Sequence, residues 1–130
     1  MKIALATTDG VLVDEHFGRA GLFAVYGISK DGYGFIEMRK FAEGRDSAIE
    51  ETKGMGQVHE DRVEQKVEKL SDCKMIYFTE IGGPSAARLV KKGIMPMKIN
   101  EAAPIEKVIE GLFNELVKSR IPWIRRALEE

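Results

Sequence analysis

The sequence predicts a single α/β domain built on a mixed sheet of about five strands with helices on its faces. Three observations support this fold class: short apolar runs near residues 5 and 76, a hairpin pattern in the first third, and helical spacing that alternates with strands afterwards. The chain has 130 residues, the size of one ordinary domain. We assign residues 1–118 to that domain and residues 119–130 to an amphipathic C-terminal tail.

The first third predicts three strands. Residues 2–8 are mostly apolar on both faces, which is typical of a central strand covered on both sides. Residues 22–28 form a second extended run, and residues 33–41 form a third in which inward and outward positions alternate. The turn formers at residues 29–32 join the last two as an antiparallel hairpin.

The remainder predicts alternating helices and strands. Residues 42–57 are rich in charge and glycine, which predicts a loop. A buried strand is expected at 73–79, and Pro96 places a further strand, 94–99, at a sheet edge. Apolar residues at helical spacing, with Gly93 as a C-terminal cap of the second helix, predict helices at 58–70, 85–92, 104–118 and 122–128. This alternation requires parallel strands with right-handed crossovers.

Composition excludes several classes of partner. The 20 basic and 21 acidic residues are interspersed and the net charge is -1, so no nucleic-acid footprint is expected. No apolar run is long enough to cross a membrane, and the N-terminus lacks a signal-peptide pattern, so a cytoplasmic protein is expected. The single cysteine, Cys73, excludes an internal disulfide and means that any metal centre has few protein ligands or is shared between chains.

The loop between the first two strands is the main candidate site. If strands 2–8 and 73–79 are parallel neighbours, the loops that follow them emerge at one edge of the sheet, where ligands of open α/β sheets bind. His16 and Arg19 then face the same crevice as the Gly82-Gly83 turn, and His59 lies at that edge too. A helix N-terminus and an arginine favour an anion, and imidazole favours a metal. Cys73 begins its strand and is expected at the opposite edge, about 20 Å away.

Plainer interpretations remain open from the residues alone. His16 is equally well explained as a hydrogen-bonding turn residue. His59 is better explained as a surface residue, Cys73 as a small core residue, and Gly82-Gly83 as a tight turn that lacks a phosphate-loop spacing.

The acids of the loop permit a further alternative. Asp9, Asp14, Glu15 and Glu80 are close enough in the predicted fold to suggest a metal-dependent hydrolase. The absence of a basic surface for a nucleic acid ranks this below a binding role. Arg19 also has a plain alternative, because Asp14 or Glu15 can pair with it.

Several phrases of the chain resemble one known family. Together they span nearly the whole sequence: Ala-Thr-Thr-Asp-Gly (6–10), Asp-Glu-His-Phe-Gly-Arg-Ala (14–20), Ser-Asp-Cys (71–73), Ile-Gly-Gly-Pro-Ser-Ala-Ala-Arg-Leu-Val (81–90), Gly-Ile-Met-Pro (93–96) and Pro-Trp-Ile-Arg (122–125). They are similar to the dinitrogenase iron-molybdenum cofactor-binding family. The resemblance implies a ribonuclease H-like fold without nuclease activity.

The resemblance also implies a function. Members in nitrogen fixation carry an iron-sulfur precursor of the iron-molybdenum cofactor as cargo, between a cluster donor and a scaffold acceptor. The family's His-Phe-Gly motif falls on His16, Phe17 and Gly18, so His16 becomes the expected cluster ligand, assisted by Arg19 and by Gly82 and Gly83. The alternative is a protein-interaction or regulatory module outside nitrogen fixation, acting through the Trp123 tail and the loop 42–57.

Overall fold

A central five-stranded mixed sheet organises the molecule. The computed structural model describes residues 1–41 and 63–129. The strands of the main sheet are β1 (Lys2–Ala6), β3 (Leu22–Ser29), β4 (Gly32–Lys40), β5 (Cys73–Phe78) and β6 (Met95–Lys98), in the spatial order β4-β3-β1-β5-β6. Two further short strands, β2 (Leu12–Val13) and β7 (Ala103–Pro104), pair with each other in a separate antiparallel ladder.

The first strand is central, as its sequence predicts. β1 is antiparallel to β3 on one side and parallel to β5 on the other. β3 and β4 form the predicted antiparallel hairpin, and β6 lies parallel to β5 at an edge. Pro96 is tolerated there because an edge strand leaves one row of backbone groups outside the ladder. The parallel pairing of β1 and β5 brings the loops that follow them to the same edge of the sheet.

Four helices in residues 63–129 cover the sheet. The described part of α1 spans residues 63–69, and the others are α2 (Gly83–Lys91), α3 (Ile105–Lys118) and α4 (Pro122–Leu128). α2 begins two residues before its predicted start, with Pro84 in the first turn, where its missing N–H is harmless. It ends at Lys91, and Gly93, which follows the cap residue Lys92, has a φ of 81°, the left-handed conformation that glycine adopts most easily.

Each face of the sheet has its own apolar core. Because side chains alternate along β1, Ile3 and Leu5 pack with α3 and α4, whereas Ala4 and Ala6 pack with α1 and α2. α4, predicted as a tail, buries Ile124, Ala127 and Leu128. The result is a three-layer α/β/α domain.

Two features differ from the sequence expectation or lie beyond it. The β2–β7 ladder was not predicted, because two residues per strand are too few to show a periodic pattern. The predicted loop 42–57, the first residues of the predicted helix 58–70 and His59 lie outside the described residues. Among the residues that are described, no helix is both long and apolar enough to span a bilayer.

Candidate functional site

The loop that follows β1 is attached to the end of β5. His16 and Glu80 form a parallel β-bridge. The Phe17 N–H donates to the carbonyl oxygen of Glu80 at 2.9 Å, and the Thr79 N–H donates to the carbonyl oxygen of Glu15 at 3.1 Å. The pairing of β1 with β5 therefore continues into the loop, and the His16 backbone is fixed at the edge where the sequence placed the crevice.

Two of the loop's acids shape its turns. Asp9 accepts hydrogen bonds from the N–H groups of Leu12 at 3.0 Å and Val11 at 2.8 Å, and these bonds lower the pKa of Asp9. Asp14 accepts from both the N–H and the hydroxyl of Thr8, at 2.8 and 2.6 Å. Each carboxylate therefore satisfies local donors in the manner of a turn residue.

Phe17 anchors the loop in the core. Its side chain is fully buried, with ring centroids 6.0 Å from Phe23 and 6.3 Å from Phe78. The following turn closes with the Ala20 N–H donating to the carbonyl of His16 at 2.9 Å. His16 and Arg19, on either side of this anchor, are exposed. Burial of one residue thus fixes the two polar side chains of the motif at the surface.

Arg19 has no acidic partner in residues 1–41 and 63–129. The two acids considered for it are engaged elsewhere: Asp14 bonds Thr8, and Glu15 accepts from the N–H of His16 at 2.9 Å. Its guanidinium is consequently available to an anion at this edge.

Glu80 is the acid nearest to His16 in the ladder. The Ile81 N–H donates to its carboxylate at 3.3 Å, and Lys98 pairs with it at 3.4 Å. The pKa of Glu80 is lowered by that backbone hydrogen bond first, then by Lys98, with a contribution from His16. Glu80 is therefore an anionic carboxylate at neutral pH, opposite His16 in the ladder and paired with the Lys98 ammonium.

The N-terminus of α2 opens onto the same edge. Gly82 is its N-cap residue, and no side chain caps the first turn among the described residues. Gly82 and Gly83 are exposed, with nothing within 4 Å of the position that a Cβ would occupy. The positive end of a nine-residue helix is therefore accessible to an anion.

A buried lysine lies beneath the loop and was missed from the sequence. Lys66 on α1 is only 1% exposed, and its Nζ donates to the carbonyl oxygens of Phe17 at 3.0 Å and Gly18 at 3.4 Å. Its position in the helical pattern could have revealed it. The inner face of this helix is formed by residues 63, 66, 67 and 70, so a lysine lies where an apolar residue is expected.

Protein ligands for a metal are sparse at this edge. Within residues 1–41 and 63–129, no group of three or more histidine, cysteine, aspartate or glutamate side chains is arranged to hold an ion. His16 is the one histidine in those residues. Within the described residues, His16 is therefore the imidazole available to a metal at this edge.

The sequence matches a known family over most of its length. The model of the family described as "Dinitrogenase iron-molybdenum cofactor" covers residues 1–115. The chain belongs to this family. It is 38% identical to Protein NifX of Rhodobacter capsulatus over 128 residues, which are 98% of this chain and 77% of that protein.

Further relatives extend the comparison. The chain is 32% identical to the FeMo cofactor biosynthesis protein NifB of Bradyrhizobium diazoefficiens over 95% of its own length and 21% of that protein. Its fold is similar to the crystal structure of PH0822, with a TM-score of 0.63 at 18% identity, covering 95% and 97% of the two chains. The chain is thus a small member of an iron-molybdenum cofactor biosynthesis family, and the α/β fold class is confirmed.

In this family member the cysteine lies far from the candidate site. Cys73 is buried at the start of β5, whereas His16 pairs beyond the end of that strand. Seven residues separate Cys73 from Glu80, about 20 Å of extended chain. Burial, and then the neighbouring Asp72 carboxylate, raise the pKa of the Cys73 thiol to about 12.

The high pKa of Cys73 gives a testable expectation. At pH 8 the native protein should react with iodoacetamide at least about 100-fold more slowly than the urea-unfolded chain, because each unit of pKa lowers the thiolate fraction tenfold. Mass spectrometry of timed samples measures both rates. Rapid labelling of the native protein would contradict this placement of Cys73.

Proposed function

We propose that this protein is a non-enzymatic carrier that binds an iron-sulfur precursor of the iron-molybdenum cofactor, or the finished cofactor, as cargo. One observation carries the proposal: the exposed His16 is fixed by backbone pairing with Glu80 at an edge that also presents Arg19 and the N-terminus of α2. Membership of the dinitrogenase iron-molybdenum cofactor family supports this class of cargo.

The residues at this edge suit such a cargo. A neutral imidazole coordinates iron and related transition metals. Iron-sulfur clusters with terminal anionic ligands carry negative charge, which the Arg19 guanidinium and the N–H groups at the start of α2 would stabilise. Phe17 and Gly18 contribute the backbone that sets this geometry. His59 is the candidate for a second imidazole ligand.

The small number of ligands favours transfer over storage. A structural metal site is closed by four protein ligands, whereas one imidazole leaves the rest of a cluster open to a competing protein. Asp9 and Asp14 accept hydrogen bonds from local donors, so we assign them to loop shape rather than to the activation of water. Both points support a carrier without catalysis.

Anaerobic loading tests the carrier proposal directly. Incubating the protein with isolated iron-molybdenum cofactor or its iron-sulfur precursor, followed by gel filtration, should give about one cluster per chain by iron analysis, with cluster absorption that co-elutes with the protein. Bovine serum albumin at the same concentration serves as the non-specific control. Cluster recovery no higher than that of the control would refute the carrier role.

A second surface fits the partner proteins that a carrier needs. Ile121 and Trp123 at the start of α4 are 50% and 38% exposed. The flanking charges are mainly basic and comprise Lys118, Arg120, Arg125 and Arg126, against the two acids Glu129 and Glu130. We propose that this surface docks an acidic, partly apolar face of the nitrogenase assembly proteins that donate or accept the cluster, since Trp and Arg dominate many interfaces and opposite charge steers association.

Docking and cargo binding should be separable. Combining Trp123→Ala with Arg126→Glu should weaken binding to a purified acceptor assembly protein by at least about 30-fold, the size of a typical hot-spot loss, while cluster loading is unchanged. Lys107→Glu, on an exposed position of α3, is the control. Surface plasmon resonance at two salt concentrations measures the effect. Equal affinity of the double variant and the control would contradict docking at α4.

The cell compartment is part of the same proposal. We place the carrier in the cytoplasm, because its one cysteine is a free thiol and reducing compartments keep thiols free.

A further inference from the structure

A charged side chain in the core needs a reason to be there. Lys66 is almost completely buried, in a layer of the core made of apolar and aromatic side chains. Removing an ammonium from water is unfavourable by several kcal/mol unless polar groups replace the lost hydration. Two of the polar groups that contact it belong to the candidate binding loop.

The ammonium contacts the loop in two ways. Its Nζ donates to the carbonyl oxygens of Phe17 at 3.0 Å and Gly18 at 3.4 Å. It also lies 5.3 Å from the ring centroid of Phe17 and 5.9 Å from that of Phe23, within the range of cation–π attraction. The lysine therefore contacts both the backbone and the anchoring side chain of the residue that follows His16.

Phe17 is consequently held from both sides. Its N–H donates to Glu80 at the end of β5, and its carbonyl accepts from Lys66 on α1. Two different secondary structure elements thus fix consecutive peptide groups of one residue. His16 precedes these peptides and Arg19 follows the Gly18 carbonyl, so the same contacts determine where both exposed side chains begin.

From this geometry we infer that Lys66 is a positioning residue for the binding loop, holding the Phe17 and Gly18 carbonyls so that His16 and Arg19 face the cargo. The inference rests on the proposed carrier function for its final step, the effect on cargo. A group that orients a metal ligand from behind typically contributes about ten- to hundredfold to affinity.

A merely structural role predicts something different. A methionine has nearly the shape of lysine and removes the unfavourable burial of charge, but it also removes the donor to the Phe17 and Gly18 carbonyl oxygens. If Lys66 only fills space, Lys66→Met leaves the loop and cargo binding unchanged. If Lys66 positions the loop, the same variant folds but loses the geometry of the site.

The test begins with protein that contains no cargo. Two-dimensional NMR of Lys66→Met should show shifted or broadened signals for the Phe17 and Gly18 amides and for the His16 ring, while signals of β3 and α3 stay in place. Lys69→Met is the matched control, because Lys69 lies on the exposed side of the same helix. Lys66→Gln retains an N–H donor, so its loop signals should shift less than those of Lys66→Met and more than those of Lys69→Met. This variant also tests the inference if Lys66→Met fails to fold.

The second measurement uses isolated iron-molybdenum cofactor as the probe. Lys66→Met should bind it about ten- to hundredfold more weakly than wild type, with Lys69→Met unchanged. Loop signals that match those of the control, or full affinity in Lys66→Met, would overturn the inference. A wild-type protein that fails to bind the cofactor would instead remove the carrier proposal, and the cargo-free spectra would still decide whether Lys66 positions the loop.

Discussion

Replacing His16 with alanine is expected to lower the affinity for the iron-sulfur cargo by more than about 100-fold. The imidazole is the proposed direct ligand, and even groups that only orient a ligand typically contribute up to about 100-fold. Anaerobic titration followed by absorption spectroscopy measures the dissociation constant. His16 is exposed, so the thermal unfolding midpoint of His16→Ala should equal that of wild type.

His59→Ala is the matched comparison because it removes the other histidine of the chain. Weaker binding in that variant would make His59 a second ligand, and full binding would leave His16 as the single imidazole. If His16→Ala itself binds the cargo as tightly as wild type, the cluster is held elsewhere and the assignment of the ligand is wrong.

Replacing Phe17 with alanine should destabilise the fold by about 3–5 kcal/mol, the usual effect of removing a buried aromatic ring. The ring is fully buried against Phe23 and Phe78, and the Lys66 ammonium lies near its face. For a domain of this size such a loss lowers the unfolding midpoint by roughly 10–20 °C. Urea unfolding at 25 °C, monitored by circular dichroism, measures the change in free energy.

Phe35→Ala is the control for this experiment. Phe35 lies on the edge strand β4, is 56% exposed and has one ring contact, with Tyr26 at 5.6 Å. Its removal should therefore destabilise the protein by about 1 kcal/mol or less. Equal losses for the two variants would show that Phe17 is not the anchor of the loop.

Much of the architecture was predictable because it is encoded in short-range patterns. Residues 2–6 are apolar on both faces, which identified the central strand, and Pro96 identified an edge strand. Once β1 and β5 were taken as parallel neighbours, chain geometry alone brought His16 and the Gly82-Gly83 turn to one edge and sent Cys73 to the other. Those placements depend on strand direction, which the alternation of elements determines.

The details of the site depend on contacts between distant parts of the chain, which local patterns do not reveal. The hydrogen bonds from Lys66 to Phe17 and Gly18 join residues 49 and 48 positions apart, respectively. The sequence permits Asp14 to pair with Arg19 or to bond Thr8, and the fold shows that it bonds Thr8. Periodicity shows that residue 66 faces inward, but only the fold shows what it meets there.

The ladder between His16 and Glu80 has a consequence for the rate of cargo exchange. Because the backbone around His16 is already paired with the end of β5, little conformational freedom remains to be lost when a ligand arrives. Cargo-free and loaded forms should then share one loop conformation, and association should proceed in a single kinetic phase without a slow isomerisation. Release of the cargo would then depend on the competing ligands that an acceptor protein presents, and not on a change in the conformation of this loop.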